Sequence, residues 1–185
     1  FDQYLANSTT AQLKEEWLAR VKEVVHYAVD NDMYVIVNIH WDGGWLENNC
    51  TEAAKSATNA KQKAYWEQIA TTLRGFDEHL IFASANEPKV ANVTEMAVLT
   101  SYHQTFIDAV RSTGGKNAYR TLVIQGPDTD IEKTNKLMLT LPTDKVADRM
   151  MMEVHYYTPY QFTLMDKDAD WGKMFYYWGA GNRST

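Results

Sequence analysis

The sequence has a single cysteine, Cys50, among 185 residues. One thiol closes no internal disulfide and supplies no cysteine set for a zinc centre, so it is neutral evidence on redox compartment. No apolar run approaches the roughly 18 residues of a membrane-crossing helix. Lysines and arginines form no cluster and the formal net charge is −6, which argues against nucleic acid and anionic membranes as partners. A serine elbow of the G-x-S-x-G kind is absent, as are H-E-x-x-H and any Cys/His spacing suited to a metal, so neither metal nor cofactor is expected. Linkers, low-complexity stretches and short repeats are missing too. The chain opens on Phe1 rather than methionine and shows no signal peptide, a start that fits removal of an upstream segment.

What is present describes a globular chain. Hydrophobic residues make up 45% and charged residues 23%, enough to build a core, and the length suggests one domain. Six tryptophans and eleven tyrosines exceed what a core alone demands. Flat rings with a polar edge also suit a sugar-binding cleft.

Residues 10–30 set Leu13, Trp17, Val21, Val24 and Ala28 on one helical face, with Lys14, Glu15, Lys22 and Glu23 opposite. Ser8 or Thr9 is the expected cap. "MYVIVNIHW" reads as a buried strand, and "DGGWLENNCTEAAKSATN" as a polar loop. Helix period returns over 60–75 through Tyr65, Trp66, Ile69 and Leu73, and "LIFASANEP" is the next strand. Asn92 with Glu95 forms a capping-box pattern that opens a helix through about Arg111. "RTLVIQGP" gives a third strand, a weak helix follows around 130–140, and "RMMMEVHYYTP" is the fourth strand. The aromatic tail "WGKMFYYWG" reads as a long loop entering another helix. Strands near 33–41, 79–87, 120–126 and 149–157 separated by helices predict α/β architecture with a parallel sheet covered on both faces.

The polar residues collect at the carboxyl ends of these strands: His40 and Trp41, then Asn86 and Glu87, then Gln125, then His155 and Tyr157. That edge is where parallel α/β folds bind ligands. An amide beside a carboxylate suits a site where one group holds a hydroxyl and the other moves a proton. His26, His79 and His103 read as ordinary helix or loop histidines, and Asp77 and Glu78 as turn charges.

Taken together, "RVKEVVHYAVDNDMYVIVNIHWDGGW", "LIFASANEP" and "EVHYYTPYQF" resemble glycoside hydrolase family 5, the cellulase-type (β/α)₈ TIM barrels. The subgroup of bacterial endo-β-1,4-glucanases and xyloglucanases is the most similar. The resemblance spans the chain and implies that Glu87 is the general acid/base and that Asn86 holds the sugar 2-hydroxyl. It implies that His40, His155 and Tyr157 line the subsite where the bond breaks. Trp45 is a candidate sugar-stacking platform, with a loop anchor as the competing reading. Trp41 stands where the family often carries a second histidine, which alters sugar contacts near the cleavage point.

A complete barrel has eight strands and about 250 residues, so residues 1–185 correspond to a partial catalytic domain holding about strands 3–6. The family's nucleophilic glutamate is not recognised in this chain, although retaining chemistry needs two carboxylates about 5–5.5 Å apart. Glu153 shares a strand side with His155 and Tyr157 but lies about 6–7 Å deeper than His155, and reads better as a buried group bonded to its neighbours. The implied activity is retaining hydrolysis of internal β-1,4 bonds in cellulose, β-glucan or xyloglucan. The implied location is secreted, cell-surface or periplasmic in a bacterium. A non-catalytic glycan-binding half-barrel and a β-mannanase on the same fold are the alternatives. With open sheet edges, a partial barrel is also expected to self-associate or to need its missing strands.

Overall fold

The computed structural model describes residues 1–181. The backbone divides into two compact units, Phe1–Val154 and a second that begins at His155.

The first unit opens with a small antiparallel pair, β1 (Leu5–Asn7) and β2 (Gln12–Leu13). This corrects the expected helix start: α1 runs Glu15–Val29 behind Lys14, and no side chain caps it. Ser8 and Thr9 instead lie in the β1–β2 turn, where Asn7 Oδ1 accepts the N–H groups of Thr9 and Thr10. The asparagine side chain satisfies turn amides that a helix would otherwise use.

The expected alternation follows. β3 (Val35–Asn38), α2 (Lys55–Leu73), β4 (Leu80–Ala83), α3 (Val93–Ser112), β5 (Leu122–Gln125), α4 (Ile131–Leu137) and β6 (Met150–Glu153) succeed one another. The strands form one parallel sheet in the order β3-β4-β5-β6. Register pairs Asn38 with Ala83 and Gln125 with Glu153. Each strand is shorter than its apolar run suggests, because pairing stops where the chain turns into the edge loops. The fourth, expected through 157, ends at Glu153, so His155 and Tyr157 lie beyond it. The two-sided covering holds for β4 and β5, whereas Ile36 of β3 and Met151 of β6 are exposed. Those two are the outer strands of the sheet among the described residues.

α2 and α3 pack together against the sheet. Fully buried Trp66 lies between Phe82 and Phe106, with ring centroids 5.3 and 4.6 Å away. Large aromatic faces in tilted contact combine area burial with favourable ring electrostatics. Asn92 caps the helix as the sequence predicts, while Glu95 reaches back one residue further than in a capping box. Asn92 Oδ1 accepts the N–H groups of Thr94 and Glu95, each at 3.0 Å, and Glu95 accepts the N–H of Ala91 at 2.6 Å.

The amino-terminal end of the sheet carries a buried arginine. Arg120 donates to the carbonyls of Phe76, Asp77 and Leu80 and to the Asn117 side chain at 2.6–2.8 Å. Burial lowers its pKa to about 10, but these acceptors replace the water it gave up.

In the second unit, α5 (Tyr160–Thr163) is a single turn and residues 171–179 are irregular, as expected of the loop; the helix expected to follow them falls at the end of the chain, outside the described residues. Aromatic contacts organise this unit: Phe162 packs on Phe175 and Trp178, at 6.0 and 5.2 Å. Among the described residues no helix is long and apolar enough to cross a membrane.

Candidate active site

β3 and β4 end together, so the residues past Asn38 and Ala83 share one edge. His40 lies there, two residues beyond β3, and is exposed. Asn86 is buried and Glu87 half-buried, three and four residues beyond β4. The structure thus brings His40, Asn86 and Glu87 to one carboxyl edge, with Gln125 and Glu153 at the ends of the next strands.

The backbone around Asn86 and Glu87 is held at almost every residue. Ala85 N–H donates to Gln125 Oε1 at 2.9 Å, and Ala85 C=O accepts from Asn38 Nδ2 at 3.4 Å. Asn86 N–H donates to Glu47 Oε1 at 3.3 Å, and Lys89 N–H to the Glu47 carbonyl at 2.8 Å. Pro88 C=O accepts from Asp128 N–H at 2.7 Å. A carboxylate on a loop tethered this way is placed before a substrate arrives, which is what proximity catalysis requires.

A buried polar chain supports the edge from below. Gln62 Nε2 donates to Ser84 Oγ at 3.1 Å. Ser84 Oγ lies 2.9 Å from His103 Nδ1, and His103 Nε2 lies 3.0 Å from the Gln125 carbonyl. A carbonyl only accepts, so Nε2 carries the proton and Nδ1 receives the serine hydroxyl. Gln125 Nε2 then donates to Glu153 Oε2 at 2.6 Å. Burial pushes the fully enclosed His103 down to about 4, and it stays neutral near pH 7. His103 is therefore more than an ordinary helix histidine: it ties α3 to β4 and β5.

The loop after β3 is strained. Trp41 and Asp42 have φ of 55° and 46°, values uncommon for residues with a side chain and frequent at functional sites. Asp42 holds the turn by accepting from the Phe1 amino group, the Asp2 N–H and Trp45 Nε1. Gly44 sits at φ 72°, where a Cβ would also run into the Asn48 side chain.

The tryptophans differ. Trp41 is exposed, and Lys89 Nζ lies 5.2 Å from its ring centroid. Trp45 is half-buried, edge-on to Tyr65 at 5.7 Å and with Lys61 Nζ at 4.6 Å over its ring. Those contacts hold Trp45 against α2. His155 and Tyr157 belong to the second unit, where their rings meet edge to face at 5.8 Å and Tyr157 Oη lies 3.4 Å from His155 Nδ1.

Glu47 escaped the sequence reading. It is 1% exposed, and burial raises its carboxyl to about 7, with the nearby Asp42 charge adding to the effect and the N–H bond from Asn86 opposing it. Nothing in "GGWLENN" marks it except a charged residue directly after an apolar one. Among the described residues no group of three or more His, Cys, Asp or Glu is arranged to hold a metal.

An α/β sheet whose carboxyl edge presents an anchored Asn-Glu pair puts those groups where parallel α/β folds bind ligands and barrels carry their active sites. The sequence profile described as cellulase, glycosyl hydrolase family 5, matches residues 1–180, and the chain belongs to that family. It is 39% identical over 180 residues to a xyloglucan-specific endo-β-1,4-glucanase of Bacteroides ovatus, covering 91% of this chain and 36% of that protein. It is 34% identical over 162 residues to endoglucanase 1 of Ruminococcus albus, covering 83% and 39%. Superposition on the crystal structure of a xyloglucan-specific β-1,4-glucanase from a ruminal metagenomic library gives a TM-score of 0.86 at 40% identity, over 97% of this chain and 50% of that one. The four-stranded sheet is thus part of a (β/α)₈ barrel. The chain spans well under half the length of these curated relatives.

Proposed function

We propose that the protein containing this chain is a retaining endo-β-1,4-glucanase acting on cellulose, mixed-linkage β-glucan or xyloglucan, and that residues 1–185 are part of its catalytic domain. The observation that carries the proposal is the Asn86–Glu87 pair, fixed by backbone hydrogen bonds at the carboxyl edge of a family 5 sheet. Glu87 protonates the glycosidic oxygen as the bond breaks, while a second carboxylate of the full-length protein attacks the anomeric carbon. Glu87 then takes a proton from the water that hydrolyses the glycosyl-enzyme. Asn86 holds the sugar 2-hydroxyl, and His40 and Trp41 contact the sugars around the scissile bond; His155 and Tyr157 are further sugar contacts on the family resemblance alone. Trp45, held against α2, is the candidate sugar-stacking platform. Glu153, bonded to Gln125, serves the barrel interior. A polymer of this size does not cross a bilayer, so the enzyme works outside the cytoplasm.

The named relatives support a glucan substrate, since they are endoglucanases and xyloglucan-specific glucanases. Reducing-sugar release by the full-length protein from carboxymethyl-cellulose, mixed-linkage glucan, xyloglucan and mannan tests the reading, with proton NMR of the first-formed product. Hydrolysis of a β-1,4-glucan with retention is expected. Mannan turnover alone, inversion, or binding without turnover would contradict it.

A further inference from the structure

We infer that Glu47 is a positioning residue for the proposed glycosidase reaction, holding the Asn86–Lys89 segment in the geometry from which Glu87 transfers its proton. The inference rests on the reading of Glu87 just given. Its ground is that one residue grips that segment twice. Glu47 Oε1 accepts the Asn86 N–H, and the Glu47 carbonyl accepts the Lys89 N–H, so the two bonds bracket Glu87 in the chain. No other residue bonds both ends of this segment among the described hydrogen bonds.

The second ground is cost. The Glu47 side chain is buried, and its Oε2 has no hydrogen-bond partner among the described residues. Burying an unpaired carboxyl oxygen is unfavourable, and an apolar residue in this loop would avoid it. Holding a reacting group in place is a reason to bear that cost. Burial raises the carboxyl to about 7, so its neutral form makes up about half of the population near pH 7, and glutamine keeps the acceptor oxygen that the Asn86 N–H uses.

Two readouts in the full-length protein test this. Glu47→Gln should leave kcat on β-glucan within about threefold of the parent, whereas Glu47→Ala should lower kcat per folded molecule by about 10–100-fold with KM within about twofold. The loss should shrink on an aryl glycoside with a good leaving group, which needs less help from Glu87. Hydrogen exchange of the peptide spanning residues 84–91 should accelerate at least about tenfold in Glu47→Ala and stay unchanged in Glu47→Gln. If Glu47→Ala does not fold, Glu47→Asp, one methylene shorter, takes its place in both arms. Unchanged kcat or unchanged exchange in the truncated variant overturns the inference. A parent protein with no β-glucan turnover overturns the functional reading instead, and the exchange arm still decides whether Glu47 holds the segment.

Discussion

Acidification should weaken this fold through His103. Its ring is completely buried, receiving the Ser84 hydroxyl on one nitrogen and donating to the Gln125 carbonyl from the other. Its pKa falls from the ordinary 6.5 to about 4 because burial penalises the charged form. Between those values the unfolded chain binds a proton that the folded chain refuses. The contribution is therefore complete above pH 6.5 and is lost as pH falls toward 4. Going from about pH 7.5 to about pH 5, the difference amounts to about 2 kcal/mol. Glu47 works in the opposite sense, since its carboxyl is raised from 4.5 to about 7 and its contribution declines as pH rises across that window. A raw pH profile mixes the two. The assay is chemical denaturation of the full-length protein and of His103→Gln at both pH values. The stability advantage of the parent over the variant should shrink by about 2 kcal/mol at the acid end. An advantage constant to within about 0.5 kcal/mol would mean that His103 titrates normally, and the buried-network argument would fail.

Three further outcomes follow from the packing. Arg120→Met strands the carbonyls of Phe76, Asp77 and Leu80 and should cost at least about 3 kcal/mol in denaturation; a smaller loss would show that water reaches them. Glu153→Gln should lower the melting midpoint while leaving the rate per folded molecule within about tenfold, or 1.4 kcal/mol; a loss of several orders of magnitude at unchanged melting would make Glu153 a reacting carboxylate. The 185 residues produced alone expose Ile36 and Met151 on the outer strands β3 and β6, so light scattering should report association and a reducing-sugar assay no turnover; an active monomer of 21.2 kDa would contradict both.

The sheet was legible because "LIFA" and "LVIQ" are short apolar runs bounded by turn residues, and such runs are central strands. The α3 start was legible because a helix cap is a local device. The β1–β2 pair was missed because "NSTT" offers helix-cap chemistry and turn chemistry alike, and only the contact of Leu5 with Leu13 decides between them. Glu47, His103 and Arg120 were missed or undervalued for another reason. Their partners lie at Asn86, Ser84 and Leu80, roughly 20–40 residues away, and no local pattern announces such pairing. The edge position of Asn86 and Glu87 could be read from the strand preceding them, but not the hydrogen bonds that hold them.

The most direct test of the account removes only the transferable proton. Glu87→Gln in the full-length protein keeps shape and hydrogen-bonding capacity while abolishing acid/base chemistry. Turnover of unactivated β-glucan should fall by about 10²–10⁴-fold. The first step on an aryl glycoside with a good leaving group should fall much less. Equal activity of parent and variant on the two substrates would remove Glu87 from the mechanism.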